Sequence, residues 1–101
     1  MVIIIEEQQE FRVRTPYRGE IMAIVESMLG TNKVSILCQD GKKRIGRIPG
    51  KMRKRIWMRE GDSVLVKPWD IQGEKFADIL YRYTPTEASW LRRKGILTIT
   101  L

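Results

Sequence analysis

The apolar residues of this chain fall into five short alternating runs separated by turn-forming residues. Such a pattern buries itself as a small β-sheet around one core. Ile21, Ala23 and Val25 alternate with Met22, Ile24 and Glu26 in a strand running from Glu20 to about Leu29. Gly30-Thr31-Asn32 turns the chain, and Val34, Ile36 and Cys38 alternate with Lys33, Ser35 and Leu37 in a second strand. Asp40-Gly41 reads as a two-residue hairpin turn, because glycine tolerates the positive φ required there. Lys42 to Ile48 forms a third strand that ends at Pro49-Gly50, Ser63 to Lys67 a fourth and Phe76 to Tyr83 a fifth.

Two segments break the β pattern. Lys51 to Met58 holds good helix formers without Gly or Pro, which predicts a short helix between the third and fourth strands. Thr84-Pro85-Thr86-Glu87 carries three helix-start signals: a capping threonine, proline at the first helical position and a glutamate placed for a capping box. That helix should run to Lys94, where Gly95 stops it. Leu97, Ile99 and Leu101 alternate with threonines as a possible last strand, and Val2 to Ile5 could form another. The expected architecture is all-β: a five-stranded OB-fold barrel with a short helix between strands 3 and 4 and a C-terminal helix. A small β-sandwich competes, but it leaves the inserted helix unexplained. The expected division is a flexible N-terminal segment over 1–19, the barrel over 20–83, and the C-terminal helix and tail over 84–101.

Charge narrows the function. The chain carries 19 Lys and Arg against 12 Asp and Glu, a net charge of +7, and no histidine. Such an excess on one small domain favours a polyanionic partner, nucleic acid or anionic membrane. The apolar start Met1–Ile5 runs at once into Glu6 and Glu7, so neither a signal peptide nor a membrane span is expected. One cysteine, Cys38, forms no internal disulfide and no cysteine-based zinc site, which fits a reducing cytoplasm. Nucleic acid therefore leads.

The cations are also crowded. Lys42, Lys43, Arg44, Arg47, Lys51, Arg53, Lys54, Arg55 and Arg59 fall within 18 residues with no acidic residue among them. Like charges packed this way repel, and a merely solvated face needs no such crowding, so the run reads as a platform for phosphates. On the third strand Lys43 and Arg47 share a face with Ile45, while Arg44 shares the other with Gly46 and Ile48. If Ile45 is core, its basic neighbours must snorkel outward. Lys51, Lys54 and Arg55 fall at helical spacing and would project from one side. Trp57 and Trp69 offer flat rings that can stack on unpaired bases; core packing explains Trp57 equally simply and is the preferred reading of Trp69. Trp90, Tyr81 and Tyr83 read as structural. Gly46 offers close approach to an RNA backbone.

Enzyme motifs fail. Gly46-Arg47-Ile48-Pro49-Gly50-Lys51 has one residue too few for a phosphate-binding loop, and Met52 stands where a magnesium-binding hydroxyl belongs. Without histidine the usual nucleophile–base pairs are missing. Asp40, Asp62, Asp70 and Asp78 are scattered, which leaves a metal-dependent nuclease as a remote alternative.

From Asp40-Gly41-Lys42-Lys43-Arg44 through Arg47-Ile48-Pro49-Gly50-Lys51-Met52-Arg53-Lys54-Arg55-Ile56-Trp57, the chain closely resembles the translation initiation factor 1A family. The match continues through Arg59-Glu60-Gly61-Asp62, Val64-Leu65-Val66, Trp69-Asp70 and Ala77-Asp78-Ile79, covering about residues 18–95. Gly50-Lys51-Met52-Arg53-Lys54 is also similar to bacterial initiation factor 1. The resemblance implies an OB barrel with a helical extension that binds the small ribosomal subunit at the aminoacyl site, beside the decoding helix of its RNA. It implies a role in placing initiator tRNA and selecting the start codon with other initiation factors, without catalysis or cofactor. Carried over by position, the RNA-binding residues are Lys51, Arg53, Lys54, Arg55 and Trp57 of the loop and helix, with Lys43, Arg44 and Arg47 before them and Lys67 on the fourth strand. Eukaryotic members carry long charged tails; the short polar start and the end at Leu101 point to an archaeal type. The expected protein is a cytoplasmic monomer with no membrane partner. A general single-stranded RNA chaperone on the same fold is the alternative.

Overall fold

The computed structural model describes residues 12–53 and 58–100, with the backbone alone at Arg53. Five strands, β1 (Ile21–Met28), β2 (Lys33–Cys38), β3 (Lys43–Arg47), β4 (Ser63–Pro68) and β5 (Phe76–Arg82), close into a barrel in the order β1-β2-β3-β5-β4. All neighbours are antiparallel except β3 and β5, which run parallel. Helix α1 (Gly50–Arg53) lies between β3 and β4, and α2 (Pro85–Arg93) follows β5. This is the OB-fold arrangement expected from the sequence. Closure leaves no long unpaired strand edge.

Period-2 alternation sorts each strand between inside and outside. Ala23, Val25, Val34, Ile36, Val64, Val66, Ala77 and Ile79 fill the barrel, joined by Ile48, Met52 and Met58, which plug the end from the α1 side. A second core lies outside the barrel, where Met22, Leu65 and Tyr83 meet Leu91 of α2 and Leu97 beyond it. Val13, Trp90, Ile96 and Ile99 pack around that cluster. Burying a side chain of leucine size contributes about 1.5–3 kcal/mol, so the extension is welded to the wall formed by β1 and β4. The Tyr83 hydroxyl also donates to the carbonyl of Arg14, tying the segment before β1 to the same wall.

Helix α2 starts as the sequence predicts. The backbone N–H of Glu87 donates to the Thr84 hydroxyl at 3.2 Å, and the Glu87 carboxylate accepts from the Thr84 N–H at 2.9 Å. Residues 97–100 form no strand. Instead the Gln39 amide holds them, donating to the carbonyl of Ile96 at 2.9 Å and accepting from the Thr98 N–H at 2.9 Å. Val2–Ile5 lie outside the described residues.

Three further expectations change. The β2–β3 hairpin loop has three residues, Gln39, Asp40 and Gly41, because the Cys38 N–H donates to the carbonyl of Lys42. The extra residue lets Asp40 accept from the Lys42 N–H and face Arg44. Helix α1 ends at Arg53 among the described residues, and Met58 is not helical. Gly46 points into the barrel, where a Cβ would stand 3.2 Å from Ile79 and 3.3 Å from Ile36. Its missing side chain serves the packing of the core and not the approach of a ligand.

The β4–β5 loop depends on close approach. A Cβ at Gly73 would stand 2.3 Å from the carbonyl oxygen of Trp69, a backbone atom that can yield only if the loop moves. The same loop holds Gln72 at φ 64, steadied by Lys75 and Phe76 N–H groups donating to its carbonyl. Gly73→Ala should therefore cost about 1–3 kcal/mol, as overpacking typically does. It should also displace Trp69, visible in thermal melting and in the indole N–H resonance of that residue.

Candidate nucleic-acid interface

With β1 and β4 largely covered by the C-terminal extension, the outer faces of β2, β3 and β5 stay open. Strand register arranges their side chains in rows. Lys33 pairs with Arg47, Arg47 with Asp78, and Asp78 with Lys67, so one row crosses four strands. The next row is Ser35, Ile45 and Phe76, and beyond it Leu37 stands opposite Lys43. Ile45 is thus on the outer, partly buried face, and the alternation puts Arg44 and Gly46 inside.

The first row carries an aromatic platform. The Trp69 ring stacks on Phe76 with centroids 4.9 Å apart and planes 24° from parallel. Its indole N–H donates to Asp78 Oδ1 at 3.1 Å, and the Arg47 guanidinium lies 5.8 Å from its centroid. Arg47 also donates to Asp78, from Nε to Oδ1 at 3.0 Å and from Nη2 to Oδ2 at 3.4 Å. Arg47, Lys67, Trp69, Asp70, Asp78 and Leu80 line an open cleft of about 440 Å³. Two cations lining the same cleft as an exposed ring suit a strand of nucleic acid, with phosphates on the cations and a base on the ring. Sequence reasoning favoured core packing for Trp69, which is exposed instead, and missed the cleft, because the stack joins residues from a loop and from β5.

The residues singled out from the sequence fall into three groups. Lys43, Arg47, Lys51 and Lys67 are exposed, and only Ile48, Pro49 and Gly50 separate Arg47 from Lys51 in the chain. Lys54, Arg55 and Trp57 lie outside the described residues, as does the side chain of Arg53. Arg44 is a correction. It is 6% exposed, and its guanidinium donates to the carbonyl of Gly73 at 2.6 Å and to both Asp40 oxygens at 3.0 and 2.9 Å. Period-2 geometry forces it inward beside Gly46, and the guanidinium staples the β2–β3 loop to the β4–β5 loop. Those hydrogen bonds from Arg44 hold the Asp40 carboxyl below the usual carboxylate range, against a smaller upward push from burial.

Ion pairs temper the other cations only slightly. Lys42 stands 3.7 Å from Glu74 and Lys43 3.5 Å from Glu26. Exposed lysine pairs of this kind contribute about 0–1 kcal/mol and exchange readily. Asp62 is committed to structure, accepting from Arg82 at 2.9 Å and from the Arg59 N–H at 2.8 Å. Among the described residues no cluster of three or more His, Cys, Asp or Glu could hold a metal ion. No described helix is long and apolar enough to cross a membrane.

A sequence model described as Translation initiation factor 1A / IF-1 matches residues 8–100. The chain belongs to that family. Translation initiation factor 1A of the archaeon Methanothermobacter thermautotrophicus is 58% identical over 94 residues, which cover 93% of this chain and 95% of the relative. The same factor of Methanopyrus kandleri is 54% identical over 93 residues, covering 92% of this chain and 83% of the relative. YjeQ from Thermotoga maritima shares the fold alone, with a TM-score of 0.53 and 21% identity over 64% of this chain and 23% of YjeQ. The chain is an archaeal-type member of the family, with a role in protein biosynthesis, at initiation.

Proposed function

We propose that this protein binds the small ribosomal subunit through its RNA, at the decoding (aminoacyl) site. There, in the cytoplasm, it promotes initiator tRNA placement and start-codon selection together with other initiation factors. The observation that carries this reading is the row Lys33, Arg47 and Lys67 beside the exposed Trp69, which stacks on Phe76. Lys43, Arg53, Lys54, Arg55 and Trp57 extend the proposed contact surface; Arg44 does not. The action is by shape and charge: the protein occupies a site and needs no chemical step or cofactor.

Binding of the purified protein to isolated small and large subunits tests the reading. It should bind small subunits and leave large ones free. Log affinity should fall with log salt by about 0.7 per phosphate neutralised on single-stranded RNA. Equal binding to both subunits and to an unstructured oligoribonucleotide would instead favour a general RNA chaperone, because the open stacking face suits any unpaired strand.

A further inference from the structure

Asp78 is an anomaly in a row otherwise built of cations. It pairs in register with Arg47 on one side and Lys67 on the other. Its two oxygens take the two-pronged approach of the Arg47 guanidinium, at 3.0 and 3.4 Å. A guanidinium engages a phosphate with that same fork. One of those oxygens also accepts from the Trp69 indole at 3.1 Å, so the carboxylate sets both the cation and the ring. The pair is exposed, with side-chain exposures of 58% for Arg47 and 36% for Asp78, so it exchanges with an incoming anion.

We propose that Asp78 is a specificity-determining residue that acts as an internal stand-in for phosphate. It keeps Arg47 from RNA that offers only a loose backbone, and releases it to RNA that also engages Trp69 and the neighbouring cations. In the free protein Arg47 is thereby one phosphate contact held in reserve. The inference rests on the reading of this face as RNA-facing.

The test is a mutant cycle read on an unstructured oligouridylate of fixed length, titrated over a range of salt. Asp78→Asn keeps an acceptor for the Trp69 indole and removes the charge that holds Arg47. Its affinity for oligouridylate should rise about threefold, and its salt slope should steepen by about 0.7, one further phosphate. Preference for small subunits over oligouridylate should narrow correspondingly. Arg47→Ala should change the slope little in the otherwise unaltered protein, yet cut the gain in the Asp78→Asn background to the size of that from Asp70→Asn. Asp70→Asn, in the same cleft, controls for the added net charge, and its effect should survive Arg47→Ala.

The proposal is overturned if the gain from Asp78→Asn survives Arg47→Ala in full or merely equals that from Asp70→Asn. It is also overturned, without recourse to any Asp78 variant, if Arg47→Ala alone flattens the wild-type slope by a full phosphate. Either result leaves the RNA-facing reading standing. A wild-type protein with no salt-sensitive RNA binding overturns both.

Discussion

Asp40→Ala should lower the stability of the fold by about 2–3 kcal/mol, because it leaves the Arg44 guanidinium inside the protein without its carboxylate. Side-chain exposure is only 4% for Arg44 but 34% for Asp40, so water can partly re-enter, and the loss falls short of that for a fully buried pair. A domain with 5–15 kcal/mol of total stability would lose a substantial share of it. Arg44→Met combined with Asp40→Asn should be milder than Asp40→Ala alone, since an apolar stem replaces a charge that no longer needs a partner. Urea unfolding of the single and double variants measures this directly.

The pair also sets an acid limit. The hydrogen bonds from Arg44 hold the Asp40 carboxyl of the folded chain below the ordinary aspartate range. Its stabilisation is therefore complete above the unfolded pKa of about 3.9 and fades as the pH falls from there through the folded value. Replacing Asp40 by Asn should remove that part of the acid sensitivity and leave lower stability at neutral pH. Arg44→Met should meanwhile leave RNA affinity within about twofold, the scatter expected of a site that touches no phosphate. A loss as large as that of an exposed cation would restore Arg44 to the interface.

Reversing Arg53 and Lys54 together to Glu should weaken small-subunit binding on the order of 100-fold, through two lost phosphate contacts and two repulsive charges. The melting temperature should stay near that of the parent. If the variant unfolds instead, these two side chains serve the fold and the proposed surface loses its loop. Affinity for small subunits and thermal melting, read on the same preparation, separate the two outcomes.

The barrel was legible because β2 alternates cleanly, β1 and β4 are short apolar runs, and turn residues fall between the strands. The start of α2 was legible for a local reason: Thr84, Pro85 and Glu87 are near neighbours in sequence, and the capping box needs nothing else. Strand β3 was ambiguous because it alternates charge with charge. Lys43, Arg44, Ile45, Gly46 and Arg47 offer one apolar side chain, Ile45, and it faces outward, while the small residue Gly46 faces in under Ile36 and Ile79. The signal lay in Asp40, four residues before Arg44, which can satisfy an inward guanidinium. The Trp69 cleft was less accessible still. Its parts meet through the parallel pairing of β3 with β5 and a glycine that lets the β4–β5 loop fold back, and no local spacing encodes either.

Chemical footprinting of small-subunit RNA with the protein bound tests the central claim most directly. Protection should concentrate on the decoding-site nucleotides, weaken as salt rises, and vanish with the Arg53→Glu, Lys54→Glu variant. Protection spread evenly along the RNA, or a decoding site as reactive as in the free subunit, would contradict it.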